Sequence, residues 1–362
     1  MTRDDAPAPL DPPAAPASLD PPAPPVPPAP LVTIDAVRAA AATLRGIAVR
    51  TPLVAFGRPE AHRFLKAESL QPIGAFKIRG AYVAVASLAA DVRARGVITY
   101  SSGNHAQGVA RAARLFGIPA VVVMPDDAPL IKRQRVAADG AELVIVGPAS
   151  EERRLAAERI ARERGLTIIP PFDDDRIIAG QGTCGLEIAE DLPGLAAVLV
   201  PIGGGGLAAG VATAVRALHP NARIIGVEPE LAADARDSLR AGRIIEWPAE
   251  LVSRTIADGT RTQSIGRRNL AHFLASLDDI VTVSEDEIRA GVRLAAEECR
   301  LVVEPSGALA IAALRFRAAE AGLANLGGPA NLARPAAPIV AVVSGGNVDP
   351  ARYLELLGSA PA

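Results

Sequence analysis

GVITYSSGNHAQGVARAARLFGIPAVVVMP, residues Gly96–Pro125, carries the pattern that decides the fold. A short apolar run, GVITYS, leads into a helical pattern opening near Asn104, and a second run, PAVVVMP, follows it. Two apolar runs joined through a helix read as a βαβ unit, because parallel strands need a crossover of a dozen or more residues. The pattern extends outward in both senses. AELVIVG and LTIIPPF come next, with helices opening near Leu130 and Ser150. LAAVLVP, ARIIGVE, DIVTVSE and PIVAVVSGG repeat the alternation later in the chain. The fold class is therefore α/β, with doubly wound parallel sheet. Right-handed crossovers bring the loops after the strands to one edge, where such sheets bind their ligands.

Composition agrees with this and narrows the function. Apolar residues make up 49% of the 362-residue chain and aromatics only 3%, so the core must be Ala, Val, Leu and Ile. Residues 1–31, mostly Pro and Ala, read as a disordered tail. Thr33 can cap a helix from Ile34 to about Arg45, Pro52 opens an irregular stretch, and His62 to Ala67 reads as a strand. We expect a large domain from 32–95 and 169–362, with a small α/β domain, 96–168, inserted in it. No internal repeat is visible. A net charge of -2 offers no basic field to nucleic acid. No run has the length of a membrane span, and the N-terminus lacks the basic start and apolar core of a secretion signal. Cys184 and Cys299 form no CxxC pair, which argues against a disulfide framework or a structural zinc. The expected location is the cytoplasm.

Four loops carry chemistry. In QPIGAFKIRGAY, Gln71–Tyr82, Lys77 stands between Phe76 and Ile78. It is either a surface lysine with a packed stem or a desolvated, nucleophilic amine. Ser101-Ser102-Gly103-Asn104-His105 joins a strand to a helix; it is either a plain cap or a cradle for a carboxylate. Gly203-Gly204-Gly205-Gly206-Leu207 offers a row of backbone donors to a phosphate. Ser344, in SGGN after a strand, can meet a ring nitrogen or serve as an ordinary turn residue. A dinucleotide reading competes: Gly203, Gly205 and Ala208 fit G-x-G-x-x-A, and Glu228 closes the next strand. That nicotinamide-dependent oxidoreductase would leave Lys77 and the other loops unused. Pyridoxal phosphate would use the amine, the phosphate cradle and the ring partner, and an amino-acid substrate would use the carboxylate cradle.

From about Val32 to Tyr353 the chain closely resembles the fold-type II pyridoxal-phosphate enzymes, in the threonine/serine dehydratase and serine racemase branch. GAFKIRGAY, SSGNHAQGVA, PPFDD, IAGQGT, PIGGGGLAAG, VSEDEI and SGGNVD occur in the family's order. The resemblance implies two α/β domains with the cofactor in the cleft between them. It implies that Lys77 bonds the cofactor, that Phe76 lies against its ring and that Asn104 meets its 3′ hydroxyl. Gly203, Gly204, Gly205, Gly206 and Leu207 would hold the phosphate, with Ser344 at the ring nitrogen and Gly259 near the ring. Ser102, Gly103, Asn104 and His105 would hold the substrate carboxylate. The implied substrate is a β-hydroxy amino acid, L-threonine or L-serine, lost as 2-oxobutyrate or pyruvate plus ammonia. A homodimer or homotetramer is implied as well.

Two features divide the branch. Ser102 resembles the serine by which racemases return a proton from the face opposite the lysine, and 3-hydroxyaspartate dehydratases share it. Glu228, the Ala232 carbonyl and Asp234 match a Mg²⁺ or Ca²⁺ site of serine-racemase-like members, a donor set suited to a hard cation. Against these, Pro171-Phe172-Asp173-Asp174 and AGQGTCGLEI resemble catabolic threonine dehydratases. The chain stops soon after SGGNVD, so feedback control by isoleucine through a C-terminal regulatory domain is not expected. The preferred reading is a threonine/serine dehydratase, with racemase or hydroxyaspartate dehydratase second.

Overall fold

A computed structural model describes residues 30–101, 103–147, 150–323 and 337–358. Nearly all of the Pro/Ala tail, 1–31, lies outside the described residues, and so does Ser102. Ten strands are present among those described: β1 (Leu53–Ala55), β2 (Arg63–Ala67), β3 (Val97–Tyr100), β4 (Ala120–Pro125), β5 (Glu142–Val146), β6 (Thr167–Ile168), β7 (Ala197–Pro201), β8 (Arg223–Pro229), β9 (Asp279–Val283) and β10 (Ile339–Val343). They form a six-stranded sheet, ordered β1-β2-β10-β7-β8-β9, and a four-stranded sheet, ordered β5-β4-β3-β6. Every pairing is parallel except β1 with β2.

Both sheets are covered on both faces, and the strands show it by alternation. In the larger sheet, Leu199, Ile225, Val227, Ala341 and Val343 join one apolar cluster with the helices Glu285–Cys299 and Pro305–Phe316. Their neighbours Val198, Val200, Ile224, Val340 and Val342 join another, with the helices Asp175–Asp191 and Gly206–Leu218. In the smaller sheet, Val121 and Val123 meet Ala157 and Ile160, whereas Val122 and Met124 meet Ala106, Ala110 and Val136. No helix among the described residues is long and apolar enough to cross a membrane.

Two local expectations change. The stretch after Pro52 is not irregular: Leu53–Ala55 pairs antiparallel with β2, Leu53 opposite Lys66. Three residues at an edge are too few for a period of two to show in sequence. The first helix ends at Thr43 rather than near Arg45, and the chain then turns through Gly46 at φ 75°. Its start is as expected, with the Thr33 hydroxyl accepting from the Ala36 N–H at 3.3 Å.

Candidate active site

The ends of β3, β7 and β10 meet at one cleft of about 630 Å³. Lys77 arrives there because its loop is stapled to the loop after β10. The Phe76 N–H donates to the Ser344 carbonyl at 3.0 Å, and the Gly346 N–H donates to the Gly74 carbonyl at 2.9 Å. Ala75 and Gly345 form an antiparallel bridge between those bonds. Lys77 then precedes the helix Ile78–Ala86 and turns its amine into the cleft. Its Nζ donates to the Pro171 carbonyl at 2.7 Å and stands 5.2 Å from the centre of the Phe76 ring. Burial lowers its pKa from 10.5 to about 8, because the charged form has lost hydration without gaining a carboxylate.

Across the cleft, the turn after β7 runs into the thirteen-residue helix Gly206–Leu218. Gly205 has φ 98°, open in practice only to glycine. A Cβ on Gly204 would occupy the Phe172 ring. The Gly204 carbonyl accepts from Asn269 Nδ2 at 2.6 Å and from the Gly266 N–H at 3.1 Å. A helix start with bare backbone above it is a site for an anion.

Asn104 begins the helix Asn104–Phe116. Its Nδ2 donates to Glu304 Oε1 at 2.5 Å, and its Oδ1 accepts from Asn347 Nδ2 at 2.8 Å, so both ends of the amide are assigned. His105 Nε2 lies 3.1 Å from the Ile169 carbonyl. Its buried Nδ1 has no partner among the described residues. Burial, with the nearby Lys77 charge, drops the imidazole to about 3, so the ring is neutral. The Ser344 hydroxyl donates to the Ser306 carbonyl at 3.4 Å, and Ser306 Oγ accepts from the Gly259 N–H at 2.8 Å.

The structure thus brings Phe76, Lys77, Gly103, Asn104, His105, Gly203, Gly204, Gly205, Gly206, Leu207, Gly259 and Ser344 to one cleft. Glu228, Ala232 and Asp234 do not line it. Glu228 Oε1 and Oε2 accept from the backbone N–H groups of Ala235 and Arg236 at 3.0 and 2.8 Å. Both oxygens thus serve the start of the helix Asp234–Ala241, and Glu228 lies outside the cleft of the glycine turn, where the dinucleotide reading needs its ribose-binding acid. Asp234 is buried beside it, and its Oδ2 has no partner among the described residues.

Sequence reasoning did not single out a buried charge cluster in the cleft. Lys132 Nζ donates to Asp258 Oδ2 at 2.6 Å and lies 3.5 Å from Glu304 Oε2. Burial opposes the Lys132 charge, yet Asp258 and Glu304 more than offset it and hold the amine above its ordinary range. Glu304 itself is pushed up, by burial first, with Lys132 acting against the rise. These contacts join distant segments and leave no short motif to read. A second cleft, of about 580 Å³, is lined by Arg111, Arg114, Arg135 and Arg300. Asn347 lies between the two clefts, accepting from Arg135 on one side and donating to Asn104 on the other.

The residues present fit pyridoxal phosphate: an amine of lowered pKa shares one cleft with four successive glycines at the start of a helix. A family profile described as pyridoxal-phosphate dependent enzyme matches residues 44–345. The chain is 40% identical to the L-threo-3-hydroxyaspartate ammonia-lyase of Saccharomyces cerevisiae over 81% of its own length and 85% of the relative's. It is 43% identical to the L-threonine ammonia-lyase of Geobacter sulfurreducens, over 79% and 67% of the two chains. The solved structure of maize serine racemase superposes with a TM-score of 0.80 at 36% identity, covering 90% of this chain and 96% of that one.

Proposed function

Because this chain belongs to the family of pyridoxal-phosphate dependent enzymes, we propose that it is an ammonia-lyase acting on L-threonine and L-serine. Threonine gives 2-oxobutyrate and ammonia; serine gives pyruvate and ammonia. The observation that carries this is the Lys77 amine, lowered to about 8 and placed in one cleft with the tetraglycine helix start.

When bound, pyridoxal phosphate supplies an aldehyde for an amine and a ring that draws electrons from the α-carbon. The chain supplies the rest. Backbone donors of Gly203–Leu207 would hold the phosphate, and the dipole of the helix Gly206–Leu218 would favour its charge. Ser344 would offer the ring nitrogen a neutral hydroxyl in place of a carboxylate, a partner that suits loss of a β-hydroxyl. The loop at Gly103–His105 holds the substrate carboxylate, with Lys132 directly under Gly103, where a Cβ would come within 3.1 Å of its side chain. Lys77 Nζ takes the proton from the α-carbon, a task its lowered pKa suits near neutral pH. Neutral His105 beside it adds no competing charge.

A second reading, racemase or 3-hydroxyaspartate ammonia-lyase, is favoured by the acidic pair outside the cleft. Burial pushes Asp234 up to about 8 and raises Glu228 well above its usual value, the Asp234 charge adding to the latter. A Mg²⁺ or Ca²⁺ held by Glu228, Asp234 and the Ala232 carbonyl would relieve both and take the unpartnered Asp234 oxygen. Ser102, the proton donor of that reading, lies outside the described residues. A homodimer or homotetramer in the cytoplasm completes the proposal; two buried free thiols, Cys184 and Cys299, suit a reducing compartment.

The test is incubation with threonine, serine and 3-hydroxyaspartate, assaying 2-oxo acid and enantiomer together. A protein that shows no visible cofactor band and releases no ammonia from any of them overturns the proposal.

A further inference from the structure

We propose that Asn269 is a positioning residue that fixes which face of the tetraglycine turn meets the cofactor's phosphate. The inference rests on the reading that this turn holds the phosphate, and deepens it. The peptide between Gly204 and Gly205 is the deciding unit. In a trans peptide the C=O and N–H point in opposite directions. The Gly204 carbonyl accepts from Asn269 Nδ2 at 2.6 Å and from the Gly266 N–H at 3.1 Å. The Gly205 N–H is thereby directed the other way, toward the cleft that Gly205 lines.

Without such a hold the peptide is free to turn over, since glycine on both sides accepts either sign of φ. A reversed peptide would offer the phosphate a carbonyl oxygen in place of a donor. The hold is specific. Asn269 is fully buried, and Nδ2 also lies 3.3 Å from the Phe172 carbonyl, so two acceptors settle which end of the amide faces the turn. Its Oδ1 has no partner among the described residues, a buried acceptor left unpaired so that the donor end can serve the turn. The seat is firm as well. Asn269 stands in the first turn of the helix Arg267–Ser276, whose opening N–H groups at Arg267 and Arg268 grip Asp173 at 3.2 and 2.8 Å.

The test titrates cofactor-free wild type and Asn269→Ala with pyridoxal phosphate and, separately, with pyridoxal, which lacks the phosphate. The expected result is an affinity for pyridoxal phosphate lower by about tenfold or more, with pyridoxal changed by less than about threefold. Equal losses for both ligands, or no loss for either, overturn the assignment. Asn269→Asp keeps the shape and adds a negative charge, so it must show the same split and keeps the test open if Asn269→Ala fails to fold. A wild type that takes pyridoxal phosphate no better than pyridoxal overturns the phosphate reading itself, and the role of Asn269 with it.

Discussion

In the proposed role Lys77 must satisfy two demands that conflict in water: its amine has to be reachable, and it has to be uncharged. The loop stapled to Ser344–Gly346 sets it in the cleft, and burial lowers its pKa to about 8. Below that value the amine keeps its proton and cannot attack an aldehyde. Capture of pyridoxal phosphate by the cofactor-free enzyme should therefore speed up with rising pH and level off above about 8, read from the rate of the visible absorbance change. The stability sign follows from the same group. Unfolded, the amine holds its proton to about 10.5; folded, it releases it near 8. Between those values the unfolded chain binds more protons, so the cofactor-free protein gains stability as pH rises through that window. Lys77→Met should erase this gain in urea titrations and cut ammonia release by roughly a thousandfold or more. At Gly204 the constraint is steric: Gly204→Ala drives a methyl into the Phe172 ring and should weaken pyridoxal phosphate by about tenfold or more in an equilibrium titration. That Lys77, the four glycines and Ser344 belong to cleft loops was legible in sequence, because each stands in a short motif of adjacent residues. Asn269 and Glu304 were not. Asn269 meets Gly204 across 65 positions, and Asn104 meets Glu304 across 200.

At the level of elements, the helix Asp175–Asp191 is wedged between the two helices that begin at the site. It meets Ile78–Ala86 where Gly180 faces Gly80, and Gly206–Leu218 where Gly182 faces Gly210. Backbone approaches backbone at both places. A Cβ on Gly210 would run into the Ile178 carbonyl and the Gly182 amide, neither of which can rotate away. Gly210→Ala should therefore cost about 1–3 kcal/mol in urea unfolding. Under the proposed function it should also weaken pyridoxal phosphate, because the displaced helix carries the tetraglycine turn at its start. A variant with unchanged unfolding and unchanged cofactor affinity would show that this packing does not set the turn. The strand runs and helix starts could be read from periodicity, since each reports its own local structure. That AGQGTCG is a contact face could not, because glycine spacing alone does not say what stands opposite. β1 escaped for the reverse reason, three residues being too short to show any period.

For the whole molecule, a buried ionic cluster ties the Lys77 helix to the larger sheet and to the wedge helix. Arg79 lies two residues after Lys77 and bonds Glu68 Oε2 and Glu187 Oε1, each at 2.7 Å. Lys66 of β2 reaches Glu187 Oε2 at 2.6 Å, and the Thr51 hydroxyl donates to Glu68 Oε1 at 2.6 Å. Burial alone would raise the Glu68 carboxyl. The charge and hydrogen bonds of Arg79, with help from Lys66, more than offset this and hold it below its ordinary 4.5. A carboxylate lowered in this way stabilises the fold above about pH 4.5, and the contribution fades as pH falls toward the folded value. Arg79→Met strands that carboxylate without its main counter-charge. The expected loss is about 3–5 kcal/mol at pH 7, because the unpaired buried charge remains. In the variant burial dominates at Glu68 and lifts its pKa, so acid neutralises the stranded charge. The gap in stability between wild type and variant should accordingly narrow from pH 7 to pH 4, as the variant sheds its penalty and the wild type's contribution begins to fade. Urea unfolding at the two pH values measures it directly. A gap that stays constant would mean that Arg79 holds the helix by packing alone, and that Lys77 owes its placement to shape rather than to charge.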